Sequence, residues 1–256
     1  MKIATYNVNG IKGRLPVLLR WLAETRPDVA CLQEIKTSDE TFPDAALEDA
    51  GYGAIWHGQK GYNGVAILAR GAAPREVRRG LPGDPDDTHS RYIEAEVFGL
   101  TIGCLYLPNG NPAPGPKFDY KLAWFERLIG HASRLVKRGP AILCGDYNAV
   151  PTPLDCDRPE TWVRDAVFFP ETREAYARLL EQGWTDSLRH LHPGEVIYTY
   201  WDYFRFAFRR DHGLRMDHVL LSPDLAASLK AAEVDREVRG WEKSSDHAPV
   251  WIILDD

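Results

Sequence analysis

Short apolar runs of strand length recur along this chain, and several stop abruptly on an amide or a carboxylate. Ala141-Ile-Leu-Cys144 is one such run; Gly145 ends it, and Asp146 and Asn148 follow two residues apart. In extended backbone, residues i and i+2 project the same way, so both side chains are expected to look out of one strand end. Glycine, aspartate, asparagine and proline are also ordinary turn chemistry, and an Asx turn accounts for this segment taken alone. The same ending recurs elsewhere, however. Asn7 falls near the end of an alternating run over residues 2–8, and Glu34 closes Val29-Ala-Cys-Leu-Gln33. Tyr106 sits near the end of Leu100–Leu107, and Asp246-His247 lie just before the run Val250–Leu254.

Each of these residues has a plain structural reading by itself. Asn7 can cap a turn, Glu34 can be a solvated strand end, Tyr106 can pack, and His247 can hydrogen-bond within a loop. Their joint occurrence points to a shared cleft. Two carboxylates, Glu34 and Asp246, with amides and no cysteine form a hard-oxygen donor set suited to Mg2+ or Mn2+ rather than zinc.

Between the strands, Leu15, Leu18, Leu19 and Leu22 repeat at helical spacing up to Pro27. Phe118, Leu122, Phe125, Leu128, Ala132 and Leu135 predict a long amphipathic helix ending at Gly139-Pro140. Strands are expected at 53–58 and 63–69, a hairpin at 91–97 and 100–107, a helix at 171–182, and strands at 216–221 and 250–254. Residues 224–230 read as a helical turn, and 198–210 are ambiguous. Many hairpin strands with few long helices suggest two packed sheets with helices outside. No linker-like stretch divides the chain, so one domain over residues 1–256 is expected.

The composition is that of an ordinary globular chain, 44% hydrophobic and 27% charged. The N-terminus starts directly on a strand-like segment and no apolar run approaches membrane-spanning length, so a cytoplasmic protein without membrane contact is expected. Cys31, Cys104, Cys144 and Cys156 are scattered without a CxxC pair, as buried reduced thiols would be. A net charge of −6 argues against nonspecific coating of nucleic acid. It leaves room for an enzyme with a local basic groove around an acidic centre.

The motifs Tyr6-Asn-Val-Asn-Gly10, Leu32-Gln-Glu-Ile-Lys36, Gly61-Tyr-Asn-Gly-Val-Ala66, Tyr106-Leu-Pro-Asn109, Gly145-Asp-Tyr-Asn148, Gly213-Leu-Arg-Met-Asp217 and Ser245-Asp-His-Ala-Pro249 occur in that order. In them the chain resembles the exonuclease III family of DNA-repair nucleases, within the endonuclease/exonuclease/phosphatase superfamily that includes deoxyribonuclease I. The resemblance implies a four-layered α/β sandwich, two mixed β-sheets packed together and flanked by helices. It implies a divalent metal, Mg2+ with Mn2+ as a substitute, on Glu34 with Asn7 and Asp246 close by. Asp146 would activate or orient the attacking water, and Asn148 would help to hold that water or the phosphate. His247, partnered by Asp217, would bind the scissile phosphate. Tyr106, with Asn109 beside it, would contact the phosphate or protonate the leaving group. Asn9 stands where some relatives carry an aspartate.

The implied substrate is double-stranded DNA with abasic sites or blocked 3′ ends, attacked by a monomeric enzyme. Tyr198-Thr-Tyr-Trp-Asp-Tyr-Phe-Arg-Phe-Ala-Phe-Arg-Arg210 packs seven aromatics and three arginines into thirteen residues. A strand core explains some of the aromatics but does not need Arg205, Arg209 and Arg210 between them. Arginines neutralise phosphates, and aromatics wedge into or stack on opened base steps. Trp201, Phe204, Phe206 and Leu214 are therefore the pocket or wedge candidates, and Lys36, Lys117, Lys121 and Arg91 are candidate backbone contacts. The alternative is a phosphatase of the same fold acting on a small or lipid phosphate ester, and a catalytically dead binding module is a third reading.

Overall fold

Residues 1–255 are described by a computed structural model, in which two six-stranded sheets face each other. The first half of the chain runs β1 (Lys2–Asn7), α1 (Ile11–Thr25), β2 (Val29–Gln33), α2 (Asp44–Asp49), β3 (Tyr52–His57), β4 (Val65–Arg70), β5 (Arg75–Arg79), β6 (Tyr92–Val97) and β7 (Leu100–Tyr106). The second half adds α3 (Pro116–Leu135), β8 (Ala141–Asp146), α4 (Pro170–Leu180), β9 (Thr185–Asp186), α5 (Ser187–Leu191), β10 (Asp217–Leu221), α6 (Pro223–Ala226), β11 (Leu229–Val234) and β12 (Val250–Leu254). One sheet has the order β11-β12-β1-β2-β4-β3 and the other β5-β6-β7-β8-β10-β9.

Period-two alternation sorts each central strand between two cores. Ile3, Val29, Cys31, Ile67, Ile102, Cys104, Ile142 and Cys144 face the space between the sheets. Their neighbours Ala4, Tyr6, Ala30 and Leu32 pack outward against Leu18, Trp21 and Leu22 of α1. On the other sheet Tyr92, Leu105 and Leu143 meet Trp124, Phe125 and Leu128 of α3. The result is the four-layered α/β/β/α sandwich that the sequence predicts, with both faces of each sheet covered.

Strand direction decides where polar ends collect. β1 runs parallel to β2, and β7 parallel to β8, so each pair finishes at the same edge. β10 is antiparallel to β8 and starts with Asp217 opposite Asp146. β12 is antiparallel to β1, with Val250 opposite Thr5, so the residues just before it lie beside Asn7. Gly145 is needed at this edge because a Cβ there would stand 1.9 Å from the Leu105 carbonyl oxygen.

One segment differs from the sequence reading. Residues 224–230 contain only the short α6, and from Leu229 the chain becomes β11, an edge strand on β12. Helix propensity in this alanine-rich stretch gives way to burial of Leu229 and Ala232 against the sheet. Residues 198–210, ambiguous in their pattern, form a loop with one short 3-10 turn at Phe204–Phe206.

Beneath β10 a fully buried Arg215 joins segments distant in sequence. Its Nε donates to Asp155 Oδ1 (2.6 Å), and Nη1 donates to Asp186 Oδ2 (2.8 Å) and to His218 Nδ1 (3.0 Å). His218 Nε2 donates to the Ala149 carbonyl (2.9 Å), which fixes a neutral tautomer. Burial, then the adjacent guanidinium, pushes the His218 pKa down to about 4 from 6.5. Asp155 moves the other way for a carboxyl: burial is overcome by Arg215, and its pKa falls to about 2.

Above pH 6.5 the His218 imidazole is neutral in both folded and unfolded chains. Between pH 6.5 and about 4 only the unfolded chain takes up that proton, so stability is lost as pH falls through this window. The span corresponds to roughly 3 kcal/mol. Urea denaturation across that range is expected to show the decline, and His218→Gln is expected to flatten it; an equally steep decline in the variant would remove His218 as its source.

Candidate active site

The edge where the parallel pairs end opens into a cleft of about 390 Å3. Glu34, Tyr106, Asn109, Asp146, Asn148, Asp246 and His247, all singled out from the sequence, line it. Asn7 and Asp217 lie directly behind, both fully buried. Glu34 and Asn148 adopt left-handed backbone (φ 52° and 44°), a costly conformation for residues other than glycine.

Asn7 links the two sheets. Its Nδ2 donates to Glu34 Oε1 and to Asp146 Oδ2, both at 2.9 Å, while its Oδ1 accepts the Asn9 N–H (3.0 Å). Two carboxylates require a donor, so the carboxamide orientation follows from its partners. Asn7 therefore stands beside Glu34, as expected, and its nitrogen also bridges that carboxylate to Asp146.

On one side of Asn7 is an oxygen-rich cluster. Lys36 Nζ contacts Glu34 Oε2 and Asn9 Oδ1, each at 2.6 Å, and Asn9 Nδ2 donates to Asp246 Oδ1 (3.0 Å). Burial would raise the Glu34 pKa, but the Lys36 ammonium and the Asn7 N–H bring it below its usual value. On the other side, His247 Nδ1 donates to Asp217 Oδ2 (2.8 Å), which also accepts the Thr199 hydroxyl (2.6 Å). Burial alone would depress the His247 pKa; the Asp217 carboxylate overcomes it and carries the imidazole up to about 10. The imidazolium therefore presents Nε2–H to the cleft, 3.8 Å from Asp146 Oδ2.

Asp146 Oδ1 accepts the Asn148 N–H (2.8 Å), so the Asx turn and the cleft position are one feature. Its carboxyl is pushed up to about 7, chiefly by burial and against the pull of His247. Tyr106 is also pushed well above the ordinary tyrosine range, first by burial and then by the Glu34 and Asp146 charges. It holds its proton as a donor. Arg91 covers the Tyr106 ring, 4.8 Å from its centroid, instead of reaching into solvent.

Two donor sets compete for a cation. Oxygen atoms of Asp146 and Asp217 and a nitrogen of His247 lie within 4.8 Å of one another. That trio holds an imidazolium, which has no lone pair for a metal. Glu34 and Asp246 supply only oxygen, and among the described residues Asp246 Oδ2 has no hydrogen-bond donor. This set fits a hard divalent cation.

The aromatic–arginine segment divides in two. Phe204 and Phe206 are about three-quarters exposed, and Arg205, Arg209 and Arg210 are exposed around them. Leu214 lines the cleft and also an adjoining apolar chamber of about 570 Å3, with Trp162, Tyr200, Phe204 and Arg205. Trp201 is a correction. It is buried between Tyr198 and Phe208 and donates its indole N–H to Asp211, so it supports the loop from behind. Lys121 is a second correction, since its ammonium is wholly buried and closed to a DNA phosphate. Lys117 is exposed and Lys36 half-buried. Thr199 and Ser245 were not singled out by sequence reasoning. The Ser245 hydroxyl ties the loop before β12 to the Asn7 carbonyl (2.6 Å); its place in Ser245-Asp-His was the available signal.

The endonuclease/exonuclease/phosphatase family profile matches residues 4–247. An exodeoxyribonuclease III from Haemophilus influenzae is 37% identical over 264 residues, spanning 98% of each chain. The chain belongs to the exonuclease III group of this family. Among solved structures, an AP endonuclease from Archaeoglobus fulgidus superposes with TM-score 0.96 at 39% identity, covering all of both chains. A 3′ phosphatase from Neisseria, bound to a product DNA hairpin, gives TM-score 0.97 at 43% identity with the same coverage.

The oxygen-only donor set is where a cation is expected to bind. Titration calorimetry with Mn2+ is expected to show affinity weakened roughly tenfold or more by Glu34→Gln or Asp246→Asn. Asp217→Asn should weaken it less than either; the opposite ranking would move the ion to the histidine side.

Proposed function

We propose that the protein is a DNA-repair nuclease that hydrolyses phosphodiesters in duplex DNA, with water attacking phosphorus in line with the departing 3′ oxygen. Glu34 and Asp246 would hold a divalent cation, Mg2+ or Mn2+, which when bound draws charge from the phosphate and stabilises the departing oxygen. Asp146, a buried carboxylate with a raised pKa, takes the proton of the attacking water. Asn148 holds the water side of the phosphate. His247, charged and keyed by Asp217, donates from Nε2 to a non-bridging oxygen, and Tyr106 places its phenolic proton where the leaving oxygen develops charge. The P–O3′ bond breaks, and the products are a 3′ hydroxyl and a 5′ phosphate.

The observation that favours DNA over a small phosphate ester is the rim beside the cleft. Phe204 and Phe206 project into solvent among three arginines, an arrangement suited to gripping phosphates while wedging an opened base step. The adjoining apolar chamber offers space for an unpaired sugar or nucleotide. The relatives named as exodeoxyribonuclease III, AP endonuclease and 3′ phosphatase support cleavage beside abasic sites, removal of 3′ nucleotides and removal of 3′ phosphates as reactions of one centre. Among the described residues no helix is long and apolar enough to cross a membrane.

Product analysis on abasic, 3′-recessed and 3′-phosphate duplexes, alongside an inositol phosphate, tests the assignment. Cleavage of the DNA substrates with Mg2+ and none with EDTA is expected; full activity in EDTA, or preference for the inositol phosphate, would overturn it. Asp146→Asn should lower kcat by about 10²–10⁴-fold, the usual size of a lost general base, while Mn2+ binding persists. Loss of metal affinity in step with rate would place Asp146 among the metal ligands instead.

A further inference from the structure

Lys121, near the start of α3, is completely buried, yet among the described residues it forms no ion pair. Its Nζ instead donates to three backbone carbonyls: Pro108 at 3.2 Å, Asn109 at 3.0 Å and Asn148 at 2.6 Å. An ammonium has three protons, and here each has an acceptor. Removing such a charge from water among neutral partners is costly. Burial accordingly brings the Lys121 pKa down to about 7, with the Asp146 charge opposing. A methionine of similar length would fill the same space without that penalty. The retained charge is explained by what it holds.

The three carbonyls come from the two loops that leave the ends of β7 and β8, the strands carrying Tyr106 and Asp146. Those loops meet above Lys121. Asn109 Nδ2 donates to Asn148 Oδ1 (2.9 Å), and Asn148 Nδ2 donates to the Leu107 carbonyl (2.9 Å). The Asn148 N–H in turn donates to Asp146 Oδ1. Asn148 holds its left-handed conformation with its carbonyl turned down onto the ammonium, the shortest of the three contacts. Gly110 allows the approach: with φ 92°, a Cβ there would stand 2.6 Å from Lys121 Cδ.

We propose that Lys121 is a positioning residue for the hydrolytic step, its ammonium fixing the Asn109–Asn148 amide pair and, through Asn148, the aim of the Asp146 carboxylate. Its side chain is fully buried behind the cleft. The proposal rests on Asp146 and Asn148 forming the water side of the centre. It departs from an ordinary structural clamp in one respect: the effect of Lys121 on rate must pass through Asn148.

A double-mutant cycle on an abasic duplex with Mg2+ separates the two roles. Lys121→Met is expected to lower kcat on the order of tenfold to a hundredfold, the size of effect a small misplacement produces, with KM nearly unchanged. In an Asn148→Ala background the same substitution should cost little further, because the group it positions is already absent. A loss of the same factor in both backgrounds, a loss confined to KM, or no loss at all would overturn the proposal. Urea denaturation and Mn2+ titration of each variant verify that the fold and the metal site persist. If Lys121→Met does not fold, Lys121→Gln, which retains two N–H donors, is read in the same cycle against the same outcomes. Failure of the underlying nuclease reading is distinct, since the unsubstituted protein would then not cleave the duplex.

Discussion

The Asn7 carboxamide is placed where the two sheets meet at their polar edge, and it donates to one carboxylate from each side, Glu34 and Asp146. Without a donor between them, two buried carboxylates would raise each other's pKa. With it, the negative charge is divided into two territories. Glu34 turns its free oxygen toward Lys36, Asn9 and Asp246, the oxygen-only side suited to a cation. Asp146 turns toward His247 and Asn148. A single neutral amide thus separates the oxygen-only donor set from the carboxyl–imidazolium pair across a short distance.

The electrostatics of the two territories have different origins. On the oxygen-rich side, the Lys36 ammonium and the Asn7 N–H keep Glu34 anionic against its burial. On the proton side, burial dominates: it raises Asp146, and only the still closer Asp217 carboxylate keeps His247 charged. An acid and a base therefore coexist within 3.8 Å because each answers to a different neighbour. The chain's net charge of −6 says nothing of this arrangement, since exposed Arg205, Arg209 and Arg210 stand in one loop whose Arg205 lines the chamber adjoining the cleft.

Much of this was legible in the sequence because strands have a short period and sharp ends. Ala141–Asp146, Val29–Gln33 and Leu100–Tyr106 were recognisable from apolar runs alone, and their terminal polar residues were recognisable as a set. Period-two sorting then follows for every central strand, giving the four layers. What escaped was decided at a distance. β11 was hidden in an alanine-rich stretch that becomes a strand only because β12 offers an edge. Trp201 and Phe204 are three residues apart in an aromatic run with no usable periodicity, yet one is buried and the other exposed. Lys121 looked like any helix-surface lysine, because nothing in its neighbours along the chain reveals that two loops close over it.

The amino-acid sequence by itself determined the inventory: most of the central strands, which residues stand at their ends, that the donors are oxygen, and that the motif order is that of the exonuclease III group. Each depends on local pattern or residue chemistry, which a linear chain records directly. Only the tertiary structure decided the assignments within that inventory. Asn7 proved to be a bridge between two carboxylates, Lys121 a buried clamp and not a phosphate contact, and Trp201 a support and not a wedge. Those distinctions depend on burial and on partners as far as 139 residues away in the chain, as between Asn7 and Asp146. Desolvation and hydrogen-bond geometry exist only once such residues have been brought together.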